Sequence, residues 1–176
     1  MKIYKVVFVG DSGVGKTSII RAFLGGDIRS LRSTVGAEIF AFKRDGFTVA
    51  VWDFAGQTWF RGVISDFLRG AILVVMVFDL SRPQTLFSLL KSWANFVLEY
   101  AGDNVVAIVV GNKKDIKRID DAIIAKVLDE LKKKLRVLFY TQTSALYNDN
   151  VSKVFDVMFE VVRSIHEISE KNKQEL

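Results

Sequence analysis

The sequence predicts an α/β domain in three layers, a six-stranded and mainly parallel sheet with helices on both faces. Two observations carry that expectation. Short β-branched runs alternate with longer amphipathic stretches, the order in which parallel strands are linked by the helices that cover them. Half of the 176 residues are apolar and one is proline, so the chain can bury one substantial core and has no Pro-rich linker to divide it. Strands are expected at Lys2 to Val9, Glu38 to Arg44, Phe47 to Asp53, Ala71 to Asp79, Val105 to Asn112 and Arg136 to Thr141. Asp45-Gly46 is a two-residue hairpin signal, which makes the second and third strands antiparallel and puts one antiparallel strand at an edge of the sheet. About five helices follow, at Lys16 to Leu24, Val63 to Leu68, Thr85 to Tyr100, Asp121 to Lys134 and Val151 to Glu170, several opening at a Ser, Asp or Asn suited to capping. Trp93 is expected in the core, His166 on the polar side of the last helix, and the polar stretch from Glu167 to Leu176 is expected to fray.

Composition narrows the function. There is no cysteine, so no disulfide, thiol catalysis, palmitoylation or prenylated C-terminal anchor is expected. Apolar runs such as Ala71 to Phe78 are too short to span a bilayer, so a cytoplasmic protein without a lipid anchor is expected. The formal charge is +5, part of it from Lys132-Lys133-Lys134 and Arg136. These residues read as a solvated face that complements a helix C-terminus and allows at most weak peripheral attraction to acidic lipid. No aromatic and basic residues interleave in the manner that stacks bases, and no nucleic-acid partner is expected.

In a mainly parallel sheet the ligand sits beyond the carboxyl ends of the strands, so the residues that close each apolar run bear inspection. The first run is followed by Gly10-Asp11-Ser12-Gly13-Val14-Gly15-Lys16-Thr17, the pattern G-x-x-x-x-G-K-[ST] of a phosphate-binding loop. Its glycines let successive backbone N–H groups face one concavity, Lys16 adds a point charge, and the helix starting near Lys16 aims its positive end at the same anion. The third run ends in Trp52-Asp53-Phe54-Ala55-Gly56-Gln57, a carboxylate followed three residues later by a glycine that can approach a terminal phosphate. The fifth ends in Asn112-Lys113-Lys114-Asp115, and the sixth is followed by Thr143-Ser144-Ala145.

With these five motifs in order, from Lys5 to about Arg163, the chain resembles a small GTPase of the Ras superfamily. It is most similar to the Rab-like members through its phosphate loop, Ser33-Thr34-Val35-Gly36, and the stretch Phe60-Arg61 to Leu68-Arg69-Gly70-Ala71. The resemblance implies one G domain over residues 1–170 with a polar tail at 171–176, cycling as a monomer between GTP- and GDP-bound states. Guanine offers two neighbouring donors, N1–H and the exocyclic amine, and the Asp115 carboxylate accepts both. Adenine has no such pair and is rejected by a penalty on the order of several kcal/mol. Asn112 and Lys113 tie this loop to the phosphate loop and pack along the base, and N–H groups near Ser144 and Ala145 meet the guanine O6. The nucleotide contacts implied on the phosphate side are Asp11, Ser12, Gly13, Val14, Gly15, Lys16, Thr17 and Ser18, joined by Thr34 and Gly56. Magnesium needs hard oxygen ligands; the resemblance implies a hydroxyl from Thr17 and, when a γ-phosphate is present, one from Thr34, with Asp53 acting mainly through bound water. By the same resemblance Gln57 is expected to orient the attacking water, with Lys16 as the second catalytic residue. The segments Gly26 to Gly36 and Ala55 to Leu68 become switch loops and the surfaces for regulators and effectors.

The chain departs from the family's pattern in places. The gap from Thr17 to Thr34 is about one residue short, and Ile28 stands where many relatives carry an aromatic residue edge-on to the base. Leu146 replaces a lysine after Ser144-Ala145, and Trp59 and Phe60 form an aromatic pair in the second switch. Arg29 and Arg32 read as solvated loop residues. The rival function is a module that holds guanine nucleotide without turning it over, a reading helped by the short first switch and opposed by Gln57, Thr34 and Thr17. A kinase or ATPase fails on Asp115 and on the lack of an arginine-rich lid.

Overall fold

A computed structural model describes residues 2–26, 36–54 and 61–174. The six apolar runs pair as one sheet in the order β2-β3-β1-β4-β5-β6. Its strands are β1 (Lys2–Val9), β2 (Ala37–Arg44), β3 (Phe47–Phe54), β4 (Ala71–Asp79), β5 (Val106–Asn112) and β6 (Arg136–Gln142), each within a residue or so of the expected bounds. β1 lies parallel to both β3 and β4, and β5 parallel to β4 and β6, whereas β2 runs antiparallel to β3 from Ala37 opposite Phe54 to Arg44 opposite Phe47. The hairpin between them turns on Asp45 (φ 44°) and Gly46 (φ 84°), two left-handed residues in succession, the backbone that matches the natural strand twist.

Alternation along the central strands fills two cores. On one face Val6 and Phe8 of β1 and Leu73, Val75 and Val77 of β4 pack against α1 (Lys16–Phe23) and α6 (Val151–Gln174). On the other, Val7, Val9, Val74, Met76 and Phe78 pack against α2 (Arg61–Leu68), α3 (Pro83–Ser88), α4 (Ala94–Ala101) and α5 (Asp121–Lys134). Val6 to Val9 of β1 and Leu73 to Phe78 of β4 are buried on both faces because these strands are central, and there the residues are apolar without interruption. α3 and α4 are joined through a π-helical turn, Leu89–Trp93, so that the stretch is one helix from Pro83 to Ala101 and, with it counted once, the α-helices among the described residues number five. The sequence expectation of a plain helix from Thr85 missed that turn.

Two other expectations are corrected at the end of the chain. α6 continues to Gln174, past the point where fraying was expected. His166 is half-buried rather than on the polar side, its Nδ1 2.9 Å from the Tyr4 hydroxyl and its ring against Tyr4 and Phe47, and the Lys2 ammonium donates to Ser169. Lys132, Lys133 and Lys134 are exposed, as a solvated face requires. Because β1, β3, β4, β5 and β6 point the same way, Gly10, Asp53, Asp79, Asn112 and Thr143 all come to one edge of the sheet.

Candidate functional site

The turn after β1 is shaped by two close approaches. A Cβ at Gly10 (φ +141°) would lie 2.1 Å from the Val77 carbonyl oxygen of β4, and one at Gly15 (φ +96°) 2.2 Å from the Asn112 side-chain nitrogen. Only glycine fits at either position, so the chain swings out of the sheet at Gly10 and returns into α1 at Gly15. Lys16, 6% exposed, folds back across the loop, donating to the carbonyls of Gly10 at 3.0 Å and Asp11 at 3.2 Å. Burial brings its ammonium down to about 8, partly opposed by the carboxylates of Asp53 and Asp11. A cation held this way favours an anion beside it.

Thr17, one residue on, donates its hydroxyl to Oδ2 of Asp53 at the tip of β3. Burial pushes the Asp53 carboxyl up to about 6 against the pull of the Thr17 hydrogen bond and Lys16, and Glu38, itself paired with Arg21 at 2.8 Å, adds to the rise. Oδ1 of Asp53 is buried and has no hydrogen-bond partner among the described residues. An orphaned carboxylate oxygen next to a threonine hydroxyl is a hard donor set, and a small divalent cation would favour its ionised form, so these residues fit magnesium.

The base side is assembled by Asn112. Its side chain donates to the Val14 carbonyl at 3.0 Å and accepts from the Ala145 N–H at 3.2 Å and the Thr143 hydroxyl at 3.1 Å. One buried amide therefore fastens the loops after β1, β5 and β6 together, its oxygen and its NH₂ group both engaged. Ser144 donates its hydroxyl to Asp115 at 2.5 Å, which fixes the carboxylate beside Ala145. Lys113, left-handed at φ 64°, sends its ammonium to Asp79 at 2.7 Å.

The structure thus brings together Lys16, Thr17 and Asp53 on one side, and Asn112, Lys113, Asp115, Ser144 and Ala145 on the other, with Val14 and Asn112 as the link. Thr34, Gly56 and Gln57 lie outside the described residues. Sequence reasoning missed Asp79. It closes the fourth apolar run, the kind of position that bears inspection, yet its neighbours form no recognised motif. It is fully buried and takes hydrogen bonds from Lys113, from Arg82 at 2.8 Å and from the Ser81 hydroxyl at 2.6 Å. Burial alone would raise its carboxyl, but these donors outweigh it and hold Asp79 below the usual carboxylate range. Nothing local in the sequence announces Arg82, whose guanidinium also reaches the Ser12 carbonyl at 3.0 Å.

A lysine-bearing glycine loop at a strand end, bolted to an Asn-Lys-Lys-Asp loop two strands away, defines a nucleotide-binding α/β domain. Comparison with known proteins gives its family. The model of the Ras family matches residues 5–165. The chain is 35% identical to the Ras-related protein RABA5a of Arabidopsis thaliana over 99% of its own length and 80% of that protein. It is 32% identical to the Ras-related protein YPTC6 of Chlamydomonas reinhardtii, over 96% of this chain and 78% of the relative. The Ras-related protein RIC2 of Oryza sativa subsp. japonica is 33% identical over 98% of this chain and 79% of its own. The chain belongs to the Ras family and is a small GTPase, Rab-like in its similarities. Among the described residues no helix is long and apolar enough to cross a membrane.

Proposed function

We propose that the protein is a molecular switch that selects guanine through Asp115, holds the phosphates on Gly10 to Ser18, and hydrolyses GTP with water oriented by Gln57. The observation that carries this reading is the Asn112 bridge, which makes the phosphate loop and the Asp115 to Ala145 region one rigid unit. Such a unit suits a ligand with a phosphate chain at one end and a base at the other. Lys16 neutralises developing phosphate charge, and Lys113 lies along the base. Thr17, Thr34 and Asp53 are the residues that would hold magnesium, which when bound offsets the charge of the β- and γ-phosphates. Loss of the γ-phosphate would release Thr34 and Gly56, so the Gly26 to Gly36 and Ala55 to Leu68 segments become the surfaces that regulators and effectors distinguish. A cytoplasmic monomer is the form in which we place this activity.

The test is single-turnover conversion of GTP to GDP with magnesium, for wild type beside Gln57→Leu, after the co-purified nucleotide has been identified by chromatography. We expect guanine nucleotide in both proteins and slow hydrolysis in wild type that falls by about a hundredfold or more in the variant, the scale of losing a water-positioning group. GTP retained without turnover in either protein would identify a nucleotide-holding module instead.

A further inference from the structure

The phosphate loop is fastened on its outer side by contacts that neither its own motif nor the guanine loop supplies. Oδ1 of Asp11 accepts two hydrogen bonds, one from the Trp93 indole N–H at 2.8 Å and one from the Ser88 hydroxyl at 2.8 Å. The next residue, Ser12, gives its carbonyl to Arg82 at 3.0 Å, and Arg82 is held in turn by Asp79. All three donors come from one short stretch, Arg82 just before α3, Ser88 at its end and Trp93 at the end of the π-helical turn.

That turn explains how Ser88 and Trp93 reach the same oxygen. They are five residues apart, and in an α-helix positions with that spacing point about 140° away from each other round the axis. The turn Leu89–Trp93 closes with the Ala94 N–H on the Leu89 carbonyl, five residues back, and such a turn brings positions five apart toward one line. The widened turn therefore puts an indole that is 1% exposed and a hydroxyl on the same side, facing the phosphate loop. Asp11 needs such partners. A carboxylate in a loop that binds phosphate would repel its ligand if it were free to swing inward, and two donors from the helix hold it outward.

We propose that Trp93, Ser88 and Arg82 are positioning residues that brace the phosphate loop at Asp11 and Ser12 and so set how long the nucleotide stays bound. The proposal rests on the reading that this loop holds GDP and GTP. Breaking the brace lets the outer turn of the loop open, and the consequence is faster nucleotide release rather than a general loss of fold.

The experiment measures release of a fluorescent GDP from the preloaded protein with magnesium, chased by excess unlabelled GDP, alongside the thermal midpoint. Trp93→Phe keeps an aromatic ring in the core and deletes the N–H donor; Ser88→Ala and Arg82→Ala remove the other two donors at half-buried positions and serve if the Trp93 variant does not fold. Each is expected to release GDP about tenfold faster, the scale of one hydrogen bond to a charged group. Asp11→Asn, which keeps an oxygen for both donors, releases more slowly than Asp11→Ala. Val97→Ala, a fully buried position on α4, lowers the thermal midpoint without a matching change in release, which separates the brace from simple core packing. Release within about twofold of wild type in all three donor variants, on that same scale, overturns the brace while leaving GDP binding intact. A wild-type protein that takes up no GDP overturns the brace and the switch together.

Discussion

Asp115 and Asp79 are both carboxylates at strand ends, but they do different work because their partners differ. Asp115 is exposed and, among the described residues, its side chain is fixed by the Ser144 hydroxyl, so it can receive two donors from a base. Asp115→Asn is expected to weaken GDP binding about a hundredfold, the scale of two charge-assisted hydrogen bonds, with the thermal midpoint of the nucleotide-free protein nearly unchanged. Equilibrium titration checks the first and thermal unfolding the second. Asp79 already spends its acceptors on Lys113, Arg82 and Ser81, and its carboxyl is held below the ordinary range. A lowered carboxylate stabilises the fold fully above its unfolded value of about 4 and loses that contribution as pH falls through the folded value. Asp79→Asn is therefore expected to cost more stability at pH 7 than at pH 3, and urea unfolding of both proteins at the two pH values measures the narrowing gap. A gap of equal size at both would mean that the Asp79 charge contributes nothing.

Among the elements, α6 does most to join the ends of the chain. Phe155 on its inner face stacks on Phe23 of α1 with ring centroids 3.8 Å apart and on Phe8 of β1 at 6.2 Å, and Phe42 of β2 closes the cluster at 6.0 Å. One ring thus holds the helix that follows the phosphate loop, the central strand and the edge hairpin. Phe155→Ala is expected to cost about 3–5 kcal/mol in urea unfolding, the range for emptying a buried aromatic site. Because α1 starts at Lys16, the same variant should also loosen nucleotide binding, which a core residue on the far face such as Leu131 would not do. The edge strand β2 has no buried residue, in contrast to β1 and β4; it alternates exposed positions with the half-buried Glu38, Phe40 and Phe42 and carries Ile39 at 51% exposure.

For the whole molecule, ligand and fold are linked through the single edge where five parallel strands end. A nucleotide that touches the loops after β1, β5 and β6 opposes unfolding of all the elements between them. GDP at a thousand times its dissociation constant is expected to add about 4 kcal/mol of stability. For a chain of this size that is a rise of about 10 °C in the thermal midpoint. ADP at the same concentration should leave the midpoint unmoved, since adenine has no donor pair for Asp115. A calorimetric scan with each nucleotide makes the comparison, and an equal rise with ADP would remove base selection by Asp115.

The sequence by itself determined the strands, nearly all of the helices, the antiparallel hairpin and the positions of the phosphate and guanine motifs. Those features are written in local terms: alternation of period two, helical spacing, and glycines such as Gly10 and Gly15 that punctuate a turn. Thr34, Gly56 and Gln57 were likewise legible as motif residues, and the reading of their roles rests on the sequence. The Asn112 bridge was foreseen only as a tie between two loops; its atoms, from Val14 to Ala145, needed the fold. Asp79, Arg82, Ser88 and Trp93 were beyond a sequence reading as site residues. Ser88 and Trp93 meet Asp11 across 77 and 82 residues of chain. No local pattern says which helix face will lie over which loop, and a one-residue widening of a helix decides which side chains share that face. Hydrogen bonds of that range exist only once the sheet order has placed β1 beside β4, and for that reason the tertiary structure alone could decide them.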